Sequence, residues 1–150
     1  MTRLARGLLC PLIAALAVLV GPSASAAEIG QIKIAKGEVT IERKGETTPA
    51  KVGTRLETAD VLRTGADGSI GITMADNSLL SAGPNSILSL DKFDYDPTTN
   101  QGKFDARLQK GSLAVISGRM AKQSPDAMTV RTPSAILGVR GTEFAVSVND

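Results

Sequence analysis

The sequence has 150 residues, with 17 Lys and Arg, 15 Asp and Glu, and no histidine, and this length is typical of a single domain. The absence of histidine excludes Ser-His-Asp triads and most zinc sites. There is no tryptophan, and only one tyrosine and three phenylalanines are present, so aliphatic side chains must fill most of the core.

The N-terminus has the features of a secretory signal peptide. Two arginines precede an uncharged stretch at residues 7–20, and residues 23–27 are the small residues that a signal peptidase requires. We expect a helical signal peptide over residues 1–26, cleaved after Ala26 or one residue later, and one domain over residues 28–150. Since a membrane span needs about 20 apolar residues, we expect no span after cleavage. An uncleaved anchor is the alternative.

The predicted signal peptide carries the whole charge imbalance of the chain. It contains two of the 17 basic residues and none of the 15 acidic ones, so the remaining chain has 15 of each and a formal net charge of zero. Nucleic acid and anionic lipid are bound through an excess of positive charge. We therefore expect no nucleic-acid partner. Export predicts a periplasmic or secreted location, and the one cysteine, Cys10, is expected to be removed with the signal peptide.

Apolar residues recur at every second position through the rest of the chain. This period predicts half-buried β-strands, and glycine, proline and asparagine separate the segments. We expect an all-β domain of short strands, arranged as a solenoid or as a sandwich. The alternating segments include Ile32 with Ile34, Val39 with Ile41, Ile70 to Met74, Phe104 to Leu108 and Phe144 to Val148.

A short pattern recurs within these segments, in which a turn residue is followed by serine and an aliphatic residue. It begins at Gly68, Asn77, Asn85 and Gly111, and both residue types tolerate the left-handed backbone of tight turns. Units of this kind either stack into a short solenoid or pair as a meander. Chance recurrence in an all-β chain is the other interpretation.

The acidic segment at residues 91–105 contains Asp94 and Asp96, at the D-x-D spacing that begins an EF-hand loop. The remaining calcium-loop positions do not match, so we prefer a polar hairpin loop without a metal. Asp94 and Asp96 are kept as weak metal candidates. Two aromatic residues of this segment are expected to fill the core rather than to form an exposed contact: Phe93 and Tyr95.

The closing segment at residues 130–146, VRTPSAILGVRGTEFAV, predicts short strands separated by Pro133 and a glycine. In one interpretation its residues are structural, because the glycines allow close packing and Arg140 pairs with backbone carbonyls or with Glu143. In the other, Arg131 and Arg140 present their planar donor groups to a carboxylate or to the backbone of a partner. The two interpretations are compatible if the arginines lie at a sheet edge.

Three segments of the chain resemble the FecR domain family. They are LETADVLRTGADGSIGITMADNSLLSAGPNSILSL, LQKGSLAVISGRM and the closing segment, which together cover about residues 30–148. Asn77 stands where the family usually has a hairpin glycine. The best-known members regulate ferric-citrate-type uptake and carry a cytoplasmic sigma-factor-binding segment and a membrane span before this domain. We expect neither here, so the resemblance implies only the extracytoplasmic, non-enzymatic binding domain.

These observations predict a non-enzymatic protein without a cofactor, which binds a protein partner or ligand in the periplasm or cell envelope and is accessory to signalling or transport regulation. A structural envelope or glycan-binding module is the alternative. A small hydrolase is a third, which an open pocket with adjacent acidic groups would support. The oligomeric state is left open. The candidate partner-binding residues are Arg131, Thr132, Gly138, Arg140, Gly141, Thr142 and Glu143.

The end of the chain leads to one further expectation. Many relatives continue with more strands after the closing segment, whereas this sequence stops at Asp150. We therefore expect the last strand to have a free edge, which would dimerise or accept a partner strand.

Overall fold

The computed structural model describes residues 26–139 and 143–149. The predicted signal peptide lies outside this part, apart from Ala26. The regular elements within the described residues are twelve strands and one short helix, and the all-β prediction is confirmed. The first strands are β1 (Gly30–Lys36), β2 (Val39–Arg43), β3 (Glu46–Pro49), β4 (Arg55–Leu56), β5 (Val61–Thr64) and β6 (Ser69–Met74). The others are β7 (Leu79–Ala82), β8 (Ile87–Tyr95), β9 (Gly102–Ile116), β10 (Met128–Arg131), β11 (Ile136–Gly138) and β12 (Glu143–Val148), with helix α1 (Arg119–Gln123) between β9 and β10.

The strands form one curled sheet in the order β3-β2-β5-β8-β9-β7-β6-β1-β4. The N-terminal half of β9 pairs with β8 and with β10, and its C-terminal half pairs with β7 and β12. We call the part containing β4, β1, β6, β7, the second half of β9 and β12 sheet A. Sheet B contains β3, β2, β5, β8, the first half of β9, β10 and β11. The pairing is antiparallel except between β9 and β10, which excludes the solenoid alternative.

A glycine marks the point where β9 passes from sheet B to sheet A. Gly111 has φ +88°, and a Cβ there would lie 2.1 Å from Oγ of Ser86. The same Ser86 hydroxyl accepts a hydrogen bond of 3.0 Å from the N–H of Ser112. Because a side chain would be both strained and obstructed, glycine is required where the strand changes sheets.

The core lies on the inner side of the curled sheet and consists mostly of aliphatic side chains. Phe104 is fully buried, and its ring centroid lies 5.5 Å from that of Phe93. Phe93 is buried and Tyr95 packs against the core, so the prediction that these two aromatics fill the core is confirmed.

One alternating segment departs from the expected pattern. Ile32 is fully buried, but Ile34 is 52% exposed. A register shift interrupts the pairing of β1 with β6 between these two residues. A bulge adds one residue on one strand and so turns the following side chain to the other face. The expectation that Ile32 and Ile34 share one face is therefore wrong.

Buried polar groups fix the turn between β6 and β7 to the segment after β9. The carboxylate of Asp76, which is fully buried, accepts hydrogen bonds from the N–H and the hydroxyl of Ser78 at 3.0 and 2.8 Å. The hydroxyl of Ser78 in turn accepts one from the N–H of Gly118 at 2.9 Å. Asn77 has φ +66°, which confirms that asparagine takes the glycine-like backbone expected there.

A second buried carboxylate lies in sheet B. Asp60 is fully buried, and Arg43 donates to its two oxygens at 2.7 and 2.6 Å. The hydrogen bond to Asp60 raises the pKa of Arg43. Arg43 also lies 2.9 Å from Glu57. The cluster therefore fixes β2 to the segment that enters β5.

The short helix α1 was not expected from the sequence. It has five residues, and two of them, Met120 and Ala121, are buried. None of the helices in the described part of the chain is long and apolar enough to cross a membrane.

Candidate functional site

The closing segment forms the two open edges on one side of β9. β10 lies between β9 and β11, with Thr129 opposite Asp105 on one side and Gly138 on the other. Within the described residues, β11 pairs only with β10, and β12 pairs only with β9. The expected free edge of the last strand is therefore present in the described structure.

A tight turn connects β10 with β11. The N–H of Thr132 donates to the carbonyl of Ala135 at 2.8 Å, and the hydroxyl of Thr132 accepts from the N–H of Ala135 at 3.0 Å. Pro133 lies inside this turn, where its missing N–H costs no ladder bond. Among the predicted partner-binding residues, Thr132 thus has a local structural role.

The structure does not bring all of the predicted partner-binding residues together. Arg131 is exposed at the end of β10, opposite Arg107 of β9 and Ile136 of β11. Glu143 is exposed at the start of β12, opposite Ile116 of β9. Arg131 and Glu143 therefore lie against different halves of β9. Arg140, Gly141 and Thr142 lie outside the described residues, and so does the proposed pair of Arg140 with Glu143.

Gly138 is exposed on β11, and no atom lies within 4 Å of the position that a Cβ would take there. The expectation that Gly138 permits close backbone packing is therefore wrong. Ile136 is 68% exposed, so the apolar strand expected here is an exposed edge strand.

The backbone of β12 presents its hydrogen-bonding groups to the open edge at alternate residues. The carbonyl of Ser112 on β9 accepts a bond from Gly83 at 3.1 Å, so the backbone of Ser112 points toward β7. Ser147 of β12 lies opposite Ser112, so these two residues exchange no backbone hydrogen bonds. In an antiparallel ladder, hydrogen-bonded and non-hydrogen-bonded residue pairs alternate. The N–H and C=O groups of Glu143, Ala145 and Ser147 consequently point away from β9, to the open edge.

Sequence reasoning missed a group of exposed apolar residues on the outer face of sheet A. Ile34, Leu79 and Ile116 are 52%, 43% and 45% exposed. A signal was present for two of them. Leu79 follows the turn as the first of a Leu-Leu pair, and Ile116 ends a Val-Ile pair. Consecutive apolar residues in a strand place one on each face.

The acidic segment forms the end of the hairpin between β8 and β9, so the predicted hairpin is present. Asp94 lies 3.4 Å from the ammonium of Lys92. The carboxylate of Asp96 accepts a bond of 2.8 Å from the N–H of Thr98, and this backbone bond lowers the pKa of Asp96. Within residues 26–139 and 143–149, no group of three or more acidic, histidine or cysteine residues could hold a metal ion.

An open cleft of about 870 Å³ lies beside this hairpin, and its lining includes Glu28, Asp94 and Asp96. Glu28 lies 3.3 Å from Arg55, with both side chains exposed. Each of the three carboxylates thus has a partner, and Asp96 stays ionised to a lower pH than an ordinary carboxyl group. A general acid needs the opposite shift, so the cleft gives no specific support to the hydrolase alternative.

Comparison with known proteins identifies the family. No curated protein and no solved structure gives a match. The family model of the FecR protein matches residues 60–150, which is more than half of the chain. The match includes β5 to β12, and thus all of β9 and both edge strands of the closing segment. The chain therefore belongs to the FecR family.

Proposed function

We propose that this chain is an exported, non-enzymatic FecR-domain protein that binds a protein partner in the periplasm or cell envelope, as an accessory to signalling or transport regulation. Family membership supports a role related to envelope signalling, and FecR domains are associated with extracytoplasmic locations. The signal-peptide pattern of residues 1–26 supports export. The proposal includes no cofactor.

The open edge of β12 carries this proposal. Phe144, Val146 and Val148 pack against the core, which holds the strand in place against β9. The alternate residues offer their backbone donors and acceptors to the open edge. A row of this kind is the template for strand addition, in which a partner's extended segment pairs with an exposed edge.

The alternative is a structural envelope or glycan-binding module. Glycan recognition relies on side-chain hydroxyl, amide and aromatic groups, whereas the distinguishing feature of β12 is its backbone. This difference favours a protein partner, whose own backbone can complete the hydrogen bonds.

The test is a crosslinked pull-down from the organism's envelope fraction with the tagged, exported chain and two variants at one position. Ala145→Pro removes an N–H that points to the open edge. Ala145→Val retains this N–H and changes only the side chain. We expect the parent and Ala145→Val to capture the same protein and Ala145→Pro to lose it, while circular dichroism shows the same fold for all three.

The neighbouring residue supplies the control for the backbone geometry. Val146→Pro removes an N–H that points to β9, so it should lower the melting temperature, unlike Ala145→Pro. Capture of the same protein by folded Ala145→Pro would contradict strand addition at this edge. If no variant captures a protein and the parent binds envelope glycans instead, the alternative replaces the proposal. A separate variant, Arg140→Ala, tests the closing segment. If it folds but no longer captures the protein that the parent captures, Arg140 contributes to partner binding.

A further inference from the structure

The outer face of sheet A has an apolar surface where an antiparallel sheet normally presents polar residues to water. Ile34, Leu79 and Ile116 are each more than two-fifths exposed. They lie on three different strands and line one groove of about 270 Å³. An exposed patch of this kind on a soluble domain is typical of an interaction surface.

One row of outward positions across this face is occupied by small residues. Gly71 of β6, Ser81 of β7, Ala114 of β9 and Ala145 of β12 follow one another across the sheet in register. A floor of small side chains lets a second sheet approach to the separation of about 10 Å that is usual for packed sheets. The face is thus shaped to receive another flat surface.

Two opposite charges flank the groove on its two sides. Lys33 of β1 and Glu143 of β12 both line it. The strand order β1-β6-β7-β9-β12 places them four strand spacings apart, or about 19 Å. β7, which carries Leu79, is the middle strand of these five.

This charge arrangement is complementary to itself. If two copies pack face to face about a two-fold axis parallel to the strands, β1 of each copy lies over β12 of the other. Lys33 then faces Glu143 twice, and Leu79 packs against Leu79 of the second copy at the axis. A two-fold axis perpendicular to the strands would instead place Lys33 over Lys33. In an isologous dimer the same surface is used by both copies, so the Lys33–Glu143 pair is formed twice by symmetry. An unrelated partner would need its own matching pair of charges.

We propose that the outer face of sheet A is a homodimer interface, formed about a two-fold axis parallel to the strands, with an apolar centre at Leu79 and reciprocal Lys33–Glu143 pairs. This interface leaves the outer edge of β12 unpaired. It therefore goes beyond the proposed partner binding and does not depend on it.

The test is sedimentation velocity of the exported chain over a concentration series at low and high salt. We expect the parent to dimerise, and Leu79→Glu to weaken dimerisation by about 100-fold or more, because it buries an unpaired charge at the axis. Lys33→Glu and Glu143→Lys each place like charges opposite each other and should weaken dimerisation by about 10-fold. The double variant Lys33→Glu/Glu143→Lys should restore it.

A matched variant on the outer face of sheet B separates this effect from a general effect of charge. Lys103→Glu should leave the dimer unchanged, and circular dichroism should show the same fold for every variant. A parent that stays monomeric at all concentrations would overturn the proposal. So would a dimer that survives Leu79→Glu, or one that the double charge reversal fails to restore. A dimer lost in Ala145→Pro but retained in Leu79→Glu would be edge-paired and would also contradict it.

Discussion

The two outer faces of this curled sheet differ in chemistry, although β9 contributes to both. Sheet B presents charged residues at positions where sheet A presents small and apolar ones. On the first half of β9, Asp105 and Arg107 alternate with the buried Phe104, Ala106 and Leu108. On the second half, Ala114 and Ile116 take the outward positions. The same strand is thus adapted to water in one sheet and to a contact in the other.

This difference indicates which surface is available for assembly. Charged outward residues keep a sheet soluble and oppose contact with another sheet. Apolar outward residues contribute little to the stability of the isolated domain, and they gain their effect only when a second surface covers them. Substitutions on the two faces should therefore differ in their effect on the free energy of unfolding.

The largest expected effect compares the two isoleucines of β1. Ile32→Ala should lower the free energy of unfolding by about 3 kcal/mol, because it leaves a cavity in the core. Ile34→Ala should lower it by less than about 1 kcal/mol, because Ile34 is half exposed. Urea unfolding at low protein concentration measures both. Equal losses would show that Ile34 packs inward and would remove one residue from the apolar face.

A smaller effect is expected on the outer face of sheet B. One carboxylate oxygen of Asp105 is buried without a hydrogen-bond partner among the described residues. Asp105→Thr removes this group and introduces a residue that favours strands, so it should raise the free energy of unfolding by about 0.5–1 kcal/mol. Asp94→Thr, at a more exposed position of β8, is the control for strand propensity. A gain at residue 105 no larger than that at residue 94 would contradict the cost assigned to the buried oxygen.

The smallest effect is expected for the ion pair between Arg107 and Asp91. The two groups are 3.2 Å apart, and their side chains are 52% and 32% exposed. Exposed pairs of this kind contribute about 0–1 kcal/mol, so Arg107→Gln should change the free energy of unfolding by less than about 0.5 kcal/mol. Thermal unfolding at low and high salt measures the change. A loss above about 1 kcal/mol would show that the charges of sheet B hold the fold together.

The candidate site was predicted from the sequence only in part. The sequence singles out the closing segment, because its turn residues and short apolar runs differ from the other strands. A strand lies at an edge, however, when no second strand pairs with it, and which strands pair is decided by segments distant in the chain. The close packing expected at Gly138 was wrong for the same reason, since nothing in its local sequence distinguishes an edge strand from a buried one.

The sequence by itself determined the fold class, the turn at Asn77 and the core aromatics, whereas Gly111, expected at a turn, lies inside β9. The alternation of apolar and polar residues is a local feature of the sequence, and it favours strands whichever segments they pair with. Asn77 at a left-handed position and Phe93 in the core follow from local chemistry as well. Only the tertiary structure decided which face Ile34 occupies and which edge of β12 stays open. Strand register and strand neighbours are set by long-range pairing, and a shift of one residue moves a side chain to the opposite face.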